Sequence, residues 1–205
     1  MYKGEKFNSI SHLIGAILAF IGMTYLISIA INKNDALKIV GFSVYGVMTI
    51  FLYSTSAIYH GTKGKWKDFL RQMDYISIYL MIAGSYTPFT LITLNGTWGW
   101  SLFSIIWALA VVGIAQEVLI GKKTRRYSLI IYLLMGWLIV VAIKPLLASL
   151  THAGFMWLAA GGFAYTFGVI FYVLDEKIRH FHGIWHLFVL TGSICQFFCL
   201  ILYVA

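Results

Sequence analysis

The chain has 205 residues, of which 60% are hydrophobic, 17% aromatic and only 11% charged. This composition excludes a soluble globular surface and indicates an integral membrane protein. The net charge of +8 does not indicate a nucleic-acid partner, because the Lys and Arg residues lie in short loops and form no separate basic domain.

Seven apolar runs occupy almost the whole chain, and each is long enough to cross a hydrocarbon core of about 30 Å. We predict spans at residues 9–31, 39–60, 71–94, 98–120, 127–143, 153–174 and 182–205. The fifth span is the shortest, and we expect it to end at Lys144-Pro145, because proline stops or kinks a helix. The predicted fold is a single all-α domain of residues 1–205, a seven-helix transmembrane bundle.

Positive charge is distributed unevenly between the two sides of this bundle. Twelve of the 15 Lys and Arg residues lie in the N-terminus and in the second, fourth and sixth loops. They are Lys3, Lys6, Lys63, Lys65, Lys67, Arg71, Lys122, Lys123, Arg125, Arg126, Lys177 and Arg179. Lys33, Lys38 and Lys144 lie on the other side. Because positive loops remain in the cytoplasm, we expect a cytoplasmic N-terminus and an external C-terminus.

The seventh run begins with His182 and His186, four residues apart. On a helix this spacing lets two imidazoles bind one metal ion, although histidines at a membrane interface also bond to lipid headgroups. The predicted topology brings His60, at the end of the second span, to the same side. Three protein ligands with an open fourth position are typical of catalytic zinc, so we predict a Zn²⁺ site. His152 falls on the opposite side and His180 in a loop, and neither is included.

Two further polar residues lie on the same side of the membrane, Asp74 at the start of the third span and Ser56 one turn before His60. Ionisable side chains within membrane segments are costly and indicate function. Asp74 can be a fourth ligand, or can hold a water on the zinc and act as general base. Ser56 can bond to that water or to a developing oxyanion. Alternatively, Asp74 forms an ordinary ion pair with Arg71, and the Ser56 hydroxyl donates a hydrogen bond to a carbonyl of its own helix.

The first span begins on this side with Glu5, Asn8 and His12, at helical spacings of three and four residues. We interpret them as candidates for supporting the metal ligands from behind. For His12, a packing role is the alternative, and direct ligation is the less favoured interpretation.

Five short motifs are distributed along nearly the whole chain. They are EKFNSISH at 5–12, SAIYH at 56–60, AGSYTPF at 83–89, YLLMGW at 132–137 and HGIWHLFVL at 182–190. Together with Asp74, they resemble the hemolysin III family, the bacterial branch of the progestin and adipoQ receptor membrane proteins. The chain departs from the family pattern at Tyr75, where many relatives have histidine, and at Arg179-His180, where a proline-containing turn is usual. Neither position is a proposed ligand.

The resemblance implies a seven-helix bundle in a bacterial plasma membrane, with a cytoplasmic N-terminus. It also implies a zinc ion held by His60, His182 and His186, with Ser56 and Asp74 around the metal water. Eukaryotic relatives are hormone receptors, some with a proposed lipid-amide hydrolase activity, and alkaline ceramidases look distantly similar. A haemolytic, pore-forming activity is attributed to some bacterial members.

Three functional hypotheses follow. The first is a zinc-dependent hydrolase that cleaves an amide or ester of a lipid entering from the bilayer. The second is a receptor or sensor in which a closed zinc site only ties helices together. The third is a pore, which the small number of charged residues at mid-membrane depth does not favour.

Overall fold

The protein is an all-helical membrane bundle, as the sequence predicts. The computed structural model describes residues 4–120 and 125–205, apart from the side chains of Arg125 and Arg126. Within these ranges there is no strand, and seven helical spans are long and apolar enough to cross a membrane. Lys3, Lys122 and Lys123 are among the basic residues that predict a cytoplasmic N-terminus, and they lie outside the described residues. The orientation of the termini stays a prediction.

Eight α-helices and two irregular helical segments build these spans. The helices are α1 (Lys6–Asn32), α2 (Ala36–Gly61), α3 (Lys67–Pro88), α4 (Gly96–Ile120), α5 (Arg125–Trp137), α6 (Ile143–Ser149), α7 (His152–Leu174) and α8 (Phe181–Tyr203). A π-helical segment, Phe89–Leu94, continues α3 and completes the third span. A 3₁₀ segment, Leu138–Ala142, joins α5 to α6 within the fifth span.

Short polar signals in the sequence set the turns between spans. Asn34 adopts a φ of 50° after α1, a left-handed conformation that asparagine tolerates better than most residues. The Asp35 carboxylate then accepts a hydrogen bond from the Lys38 N–H at 3.0 Å and caps α2. Thr151 caps α7 in the same way, accepting from the Gly154 N–H at 3.2 Å. These caps allow the chain to reverse direction within two or three residues.

The third span is the central element of the bundle. Buried residues make up 72% of its membrane-spanning window, against 44% or less in every other span. α2 and α4 pack beside α3, while α1 packs against α2 and α8, and α8 packs against α7. Large apolar side chains such as Leu119 and Val111 point outward, where they face lipid. Polar residues that face the centre are therefore shielded from the bilayer.

The fifth span breaks earlier than the sequence predicts. The expected end at Lys144-Pro145 is wrong, because α5 already ends at Trp137 and the chain continues as α6 to Ser149. Pro145 lies in the first turn of α6, where its missing N–H would have had no helical partner. Pro145 is therefore accommodated in the first turn of α6 and does not end a helix.

Tyr86 of α3 stabilises this break through its hydroxyl group. The hydroxyl donates to the Gly136 carbonyl at 2.9 Å and accepts from the Ile139 N–H, also at 2.9 Å. Both backbone groups lie at membrane depth, where bulk water cannot replace a lost partner. The interrupted helix is thus tolerated because a neighbouring span satisfies it.

The variant Tyr86→Phe tests this role. We expect it to lower the free energy of unfolding by about 1–3 kcal/mol, because two backbone groups lose their partner. Thermal unfolding in detergent measures the effect, with Tyr25→Phe as control, since the Tyr25 side chain is exposed on α1. Equal midpoints for the two variants would contradict the assignment.

Candidate metal centre

The structure brings together the three histidines that the sequence predicts as metal ligands. His60 lies at the end of α2, and His182 and His186 lie in the first turns of α8. Their potential ligand atoms all lie within 4.8 Å of one another. His60 and His186 are almost fully buried, at 3% and 2% exposure. We call this group (His60, His182 and His186) the histidine cluster.

Each ring of the histidine cluster is held at Nδ1 by an oxygen from elsewhere in the chain. For His60 this oxygen is Glu5 Oε2 at 2.5 Å, and for His182 it is Asp175 Oδ2 at 2.6 Å. Ionised carboxylates only accept hydrogen bonds, so Nδ1 carries the proton in both rings and Nε2 presents its lone pair to the cluster. This is the usual way in which outer groups orient metal-binding histidines.

His186 is oriented by main chain instead of by a carboxylate. Its Nδ1 lies 3.2 Å from the Asn8 carbonyl oxygen, which can only accept, and 3.5 Å from Ser11 Oγ. Gly183 allows this close approach of α8 to α1, because a Cβ atom there would lie 2.8 Å from the Phe7 ring. The small residue in HGIWH therefore places α8 within reach of the α1 backbone.

The donor set fits a divalent cation. The Nε2 atoms of His60 and His182 are 3.2 Å apart, and two lone pairs at this distance repel unless a cation lies between them. Two nitrogens bound to one tetrahedral zinc ion lie about 3.3 Å apart, close to this value. The histidine cluster could thus hold a metal ion with little rearrangement at these two rings.

Glu5 and Asn8 form a small network at the start of α1. The Asn8 side-chain amide donates to Glu5 Oε2 at 2.9 Å, the same oxygen that faces His60. The hydrogen bond with His60 lowers the pKa of the Glu5 carboxyl from 4.5 to about 2. Glu5 is therefore ionised at neutral pH and suited to orient a neutral imidazole.

Asp74 and Ser56 lie beside the histidine cluster. Both residues line the same cavity as the three histidines, and the Asp74 carboxylate interacts electrostatically with His60 and His182. Arg71 forms its ion pair with Asp68, at 3.4 Å, where the sequence left a pair with Asp74 open. Asp74 instead lines the cavity at the candidate metal centre.

His12 stacks on His186, with ring centroids 3.7 Å apart and planes inclined by 13°. It is 3% exposed, and neither of its ring nitrogens has a hydrogen-bond partner among the described residues. His12 is not part of the group whose ligand atoms converge. Its position is that of a packing partner for the His186 ring.

Sequence reasoning missed Asp175, which holds the His182 ring. Asp175 follows the last residue of α7, and its side chain is 8% exposed. In the sequence it reads as one of several charges in a short loop, seven residues before His182. The only available signal was an acidic residue directly after an apolar run, which is too common to be specific.

The variant Asp175→Asn should weaken metal binding by about 10- to 100-fold, because an amide orients the His182 imidazole less well than a carboxylate. Zinc affinity of the purified protein, measured by competition with a chelator, gives this value directly. Glu176→Gln removes the same charge from the neighbouring position and serves as control. If the two variants lower affinity equally, the effect comes from loop charge and not from Asp175.

A cavity of about 530 Å³ extends from the histidine cluster into the membrane-spanning part of the bundle. Ser56 and Asp74 line it near the metal centre, and apolar residues such as Leu146 and Phe155 line it towards the other end. Val140 and Phe163, each 50% exposed, also line it. The cavity thus reaches the lipid-facing surface between the fifth span and α7.

The comparisons with known proteins agree with this architecture. A family model described as "Haemolysin-III related" matches residues 1–197. The chain belongs to the haemolysin III family. The haemolysin III chain is 45% identical to a Hemolysin-3 homolog of Bacillus subtilis (strain 168), over 98% of its own length and 94% of that protein. It is 46% identical to Hemolysin-3 of Bacillus cereus, over 98% and 92% of the two chains.

A more distant mammalian match extends the relationship. The haemolysin III chain is 29% identical to the human Monocyte to macrophage differentiation factor, over 77% of its own length and 67% of that protein. This match supports the expected kinship with the progestin and adipoQ receptor proteins. With its seven membrane-length helices, the haemolysin III chain is a multi-pass bacterial membrane protein.

Proposed function

We propose that this protein is a zinc-dependent hydrolase of a lipid amide or ester. The observation that carries the proposal is the arrangement of the histidine cluster at one end of a cavity that reaches the bilayer, with the Asp74 carboxylate beside it. A buried ionisable group next to a three-histidine donor set is the pattern of a catalytic rather than a structural site.

The three histidines would hold zinc, which when bound would supply Lewis-acid activation of a carbonyl group and of water. Glu5, Asp175 and the Asn8 carbonyl hold the three Nδ1 atoms, so the rings are oriented before an ion arrives and their potential ligand atoms lie within 4.8 Å of one another. Three protein ligands leave a fourth position for the reacting groups.

Asp74 supports the proposal as the general base. Its carboxylate would take a proton from the attacking water as the new C–O bond forms. It would return that proton to the leaving nitrogen or oxygen as the C–N or C–O bond breaks, so that protons balance over the cycle. Ser56 lines the cavity with Asp74 and would donate either to this carboxylate, holding it in position, or to the developing oxyanion.

The cavity supports a lipid as substrate. Its wall is largely apolar away from the histidine cluster, which suits a hydrocarbon chain. The exposed Val140 and Phe163 place one side of the cavity at the bilayer, so a lipid would enter without crossing water. Lys67, the first residue of α3, lies near the histidine cluster, since its Nζ donates to the carbonyl oxygen of Tyr59, the neighbour of His60, at 2.6 Å.

Release of fatty acid by the purified, reconstituted protein tests the proposal. A panel of N-acyl lipids and phospholipids distinguishes amide from ester cleavage, and we expect activity that a chelator abolishes and zinc restores. Activity unchanged by chelation and by His186→Ala would contradict the proposal. A metal-loaded protein that cleaves no member of the panel would instead favour the receptor hypothesis, in which metal ties α2 to α8.

A further inference from the structure

A second polar cluster lies within the cavity, away from the histidine cluster. It consists of Tyr165 on α7 and of Ser193 and Gln196 on α8, and we call it the mid-cavity cluster. Tyr165 and Gln196 line the cavity directly. Ser193 and Gln196 follow His186 by seven and ten residues, which corresponds to about 10 and 15 Å along a helix.

Hydrogen bonds order the three side chains of the mid-cavity cluster. Tyr53 donates its hydroxyl proton to Ser193 Oγ at 2.6 Å, and Ser193 Oγ lies 2.9 Å from the Tyr165 hydroxyl. The Tyr165 hydroxyl reaches Gln196 Oε1 at 3.4 Å. Ser193 Oγ accepts the Tyr53 proton, so the Ser193 hydroxyl can donate its own proton to the Tyr165 oxygen. The Tyr165 hydroxyl then donates its proton to Gln196 Oε1.

The Gln196 amide nitrogen makes no hydrogen bond with the described residues. Val189, Ser193 and Leu200 are buried and lie on the same helical face, so Gln196 faces the bundle interior and not the lipid. A free amide in apolar surroundings costs free energy unless a ligand or water accepts from it. The residue is therefore a donor without a protein acceptor, within a cavity otherwise suited to hydrocarbon.

Close packing against α8 holds the Tyr165 ring in place, because Gly192 has no side chain. A Cβ atom at Gly192 would lie 2.6 Å from the Tyr165 ring, so the ring packs directly on the α8 backbone. Rigid, preorganised donors bind a ligand group with less loss of conformational entropy than mobile ones. Position and rigidity together are those of a recognition site.

We propose that the mid-cavity cluster binds a hydroxyl group carried midway along the hydrocarbon chain of the lipid, about 10–15 Å from the histidine cluster. The Gln196 amide nitrogen donates to the oxygen of this hydroxyl group, and the Tyr165 hydroxyl oxygen accepts its proton. This inference rests on the proposed function in one respect, since it takes the cavity as the site of the lipid chain. It adds a substrate class, lipids with a chain hydroxyl.

Binding of fatty acids to the purified, zinc-loaded protein tests the inference without requiring turnover. Octadecanoic acid is compared with the same acid carrying one hydroxyl near the middle of its chain, in competition with radiolabelled octadecanoic acid. We expect the hydroxylated acid to bind about three- to tenfold more tightly, the effect of one net hydrogen bond. Gln196→Leu should abolish this preference, and Tyr165→Phe should reduce it.

The control variant is Gln116→Leu on α4. It makes the same change at a glutamine whose amide nitrogen is buried without a hydrogen-bond partner among the described residues, and Gln116 is not among the described residues that line the cavity. The preference should persist in this variant. Equal affinity of the wild-type protein for both acids would overturn the inference alone, and binding of neither acid would overturn it together with the lipid assignment. A preference without hydrolysis would support the inference and count against the proposed function.

Discussion

Replacing His182 with alanine should remove the metal from the purified protein. The wild type is expected to carry about one zinc ion per chain, whereas two remaining imidazoles bind too weakly to survive purification. His60→Ala and His186→Ala should have the same effect, because all three ligand atoms converge within 4.8 Å. Elemental analysis of the solubilised protein measures the metal content directly.

The matched control is His152→Ala. His152 is the first residue of α7, at the opposite end of the bundle from the histidine cluster, and it is exposed. Its variant should retain the metal and the thermal stability of the wild type. Metal retained in all three cluster variants, or lost equally from the control, would show that the ion binds elsewhere.

The variant Asp74→Asn should retain the metal and lose hydrolysis. An amide cannot accept the proton that the carboxylate takes from water, and removal of a general base lowers turnover by about 100- to 10,000-fold. Since Asn has nearly the same shape and volume as Asp, the local packing should change little. Turnover of the best lipid substrate and metal content are measured on the same sample.

Asp68→Asn is the control for this variant, because it makes the same change on α3 at the ion pair with Arg71. Loss of metal from Asp74→Asn would identify Asp74 as a fourth ligand, the alternative that the sequence left open. Turnover at the wild-type rate in a folded, metal-loaded Asp74→Asn protein would be incompatible with its role as general base.

The bundle could be predicted because its signal is local and strong. A run of apolar residues of membrane length forms a helix wherever it stands, since no water is available to bond its backbone. Successive spans alternate in direction, so residues at alternate span ends must meet. His60, His182 and Asp74 could therefore be assigned to one end before any distance was known.

The interruption of the fifth span could not be predicted in the same way. The predicted end of the span was based on Pro145, which is a local signal. A proline in the first turn of a helix, however, breaks no helical hydrogen bond. The decisive contact is the Tyr86 hydroxyl, which comes from a span about 50 residues earlier. No periodicity within the fifth span contains this information.

The roles of Asp175 and of the mid-cavity cluster could not be predicted either, because they depend on contacts between residues that are distant in the sequence. Asp175 is one charge among several in its loop, and only the fold brings it to His182 Nδ1. Tyr165, Ser193 and Gln196 are ordinary residue types for a membrane helix interior, where they usually bond to neighbouring helices. The hydrogen bonds that join them, and the position of Tyr165 and Gln196 in the cavity wall, are properties of the packing between α7 and α8.

The contacts behind the histidine cluster also have a consequence for biosynthesis. Glu5 and Asn8 lie at the start of α1, whereas His182 and His186 lie on α8, and His186 follows Asn8 by 178 residues. The three ligands cannot come together until α8 has joined α2, and their orientation also requires α1. An ion that bridges α2 and α8 would then stabilise the contact between an early and a late helix, and it could be captured only after α8 has been inserted.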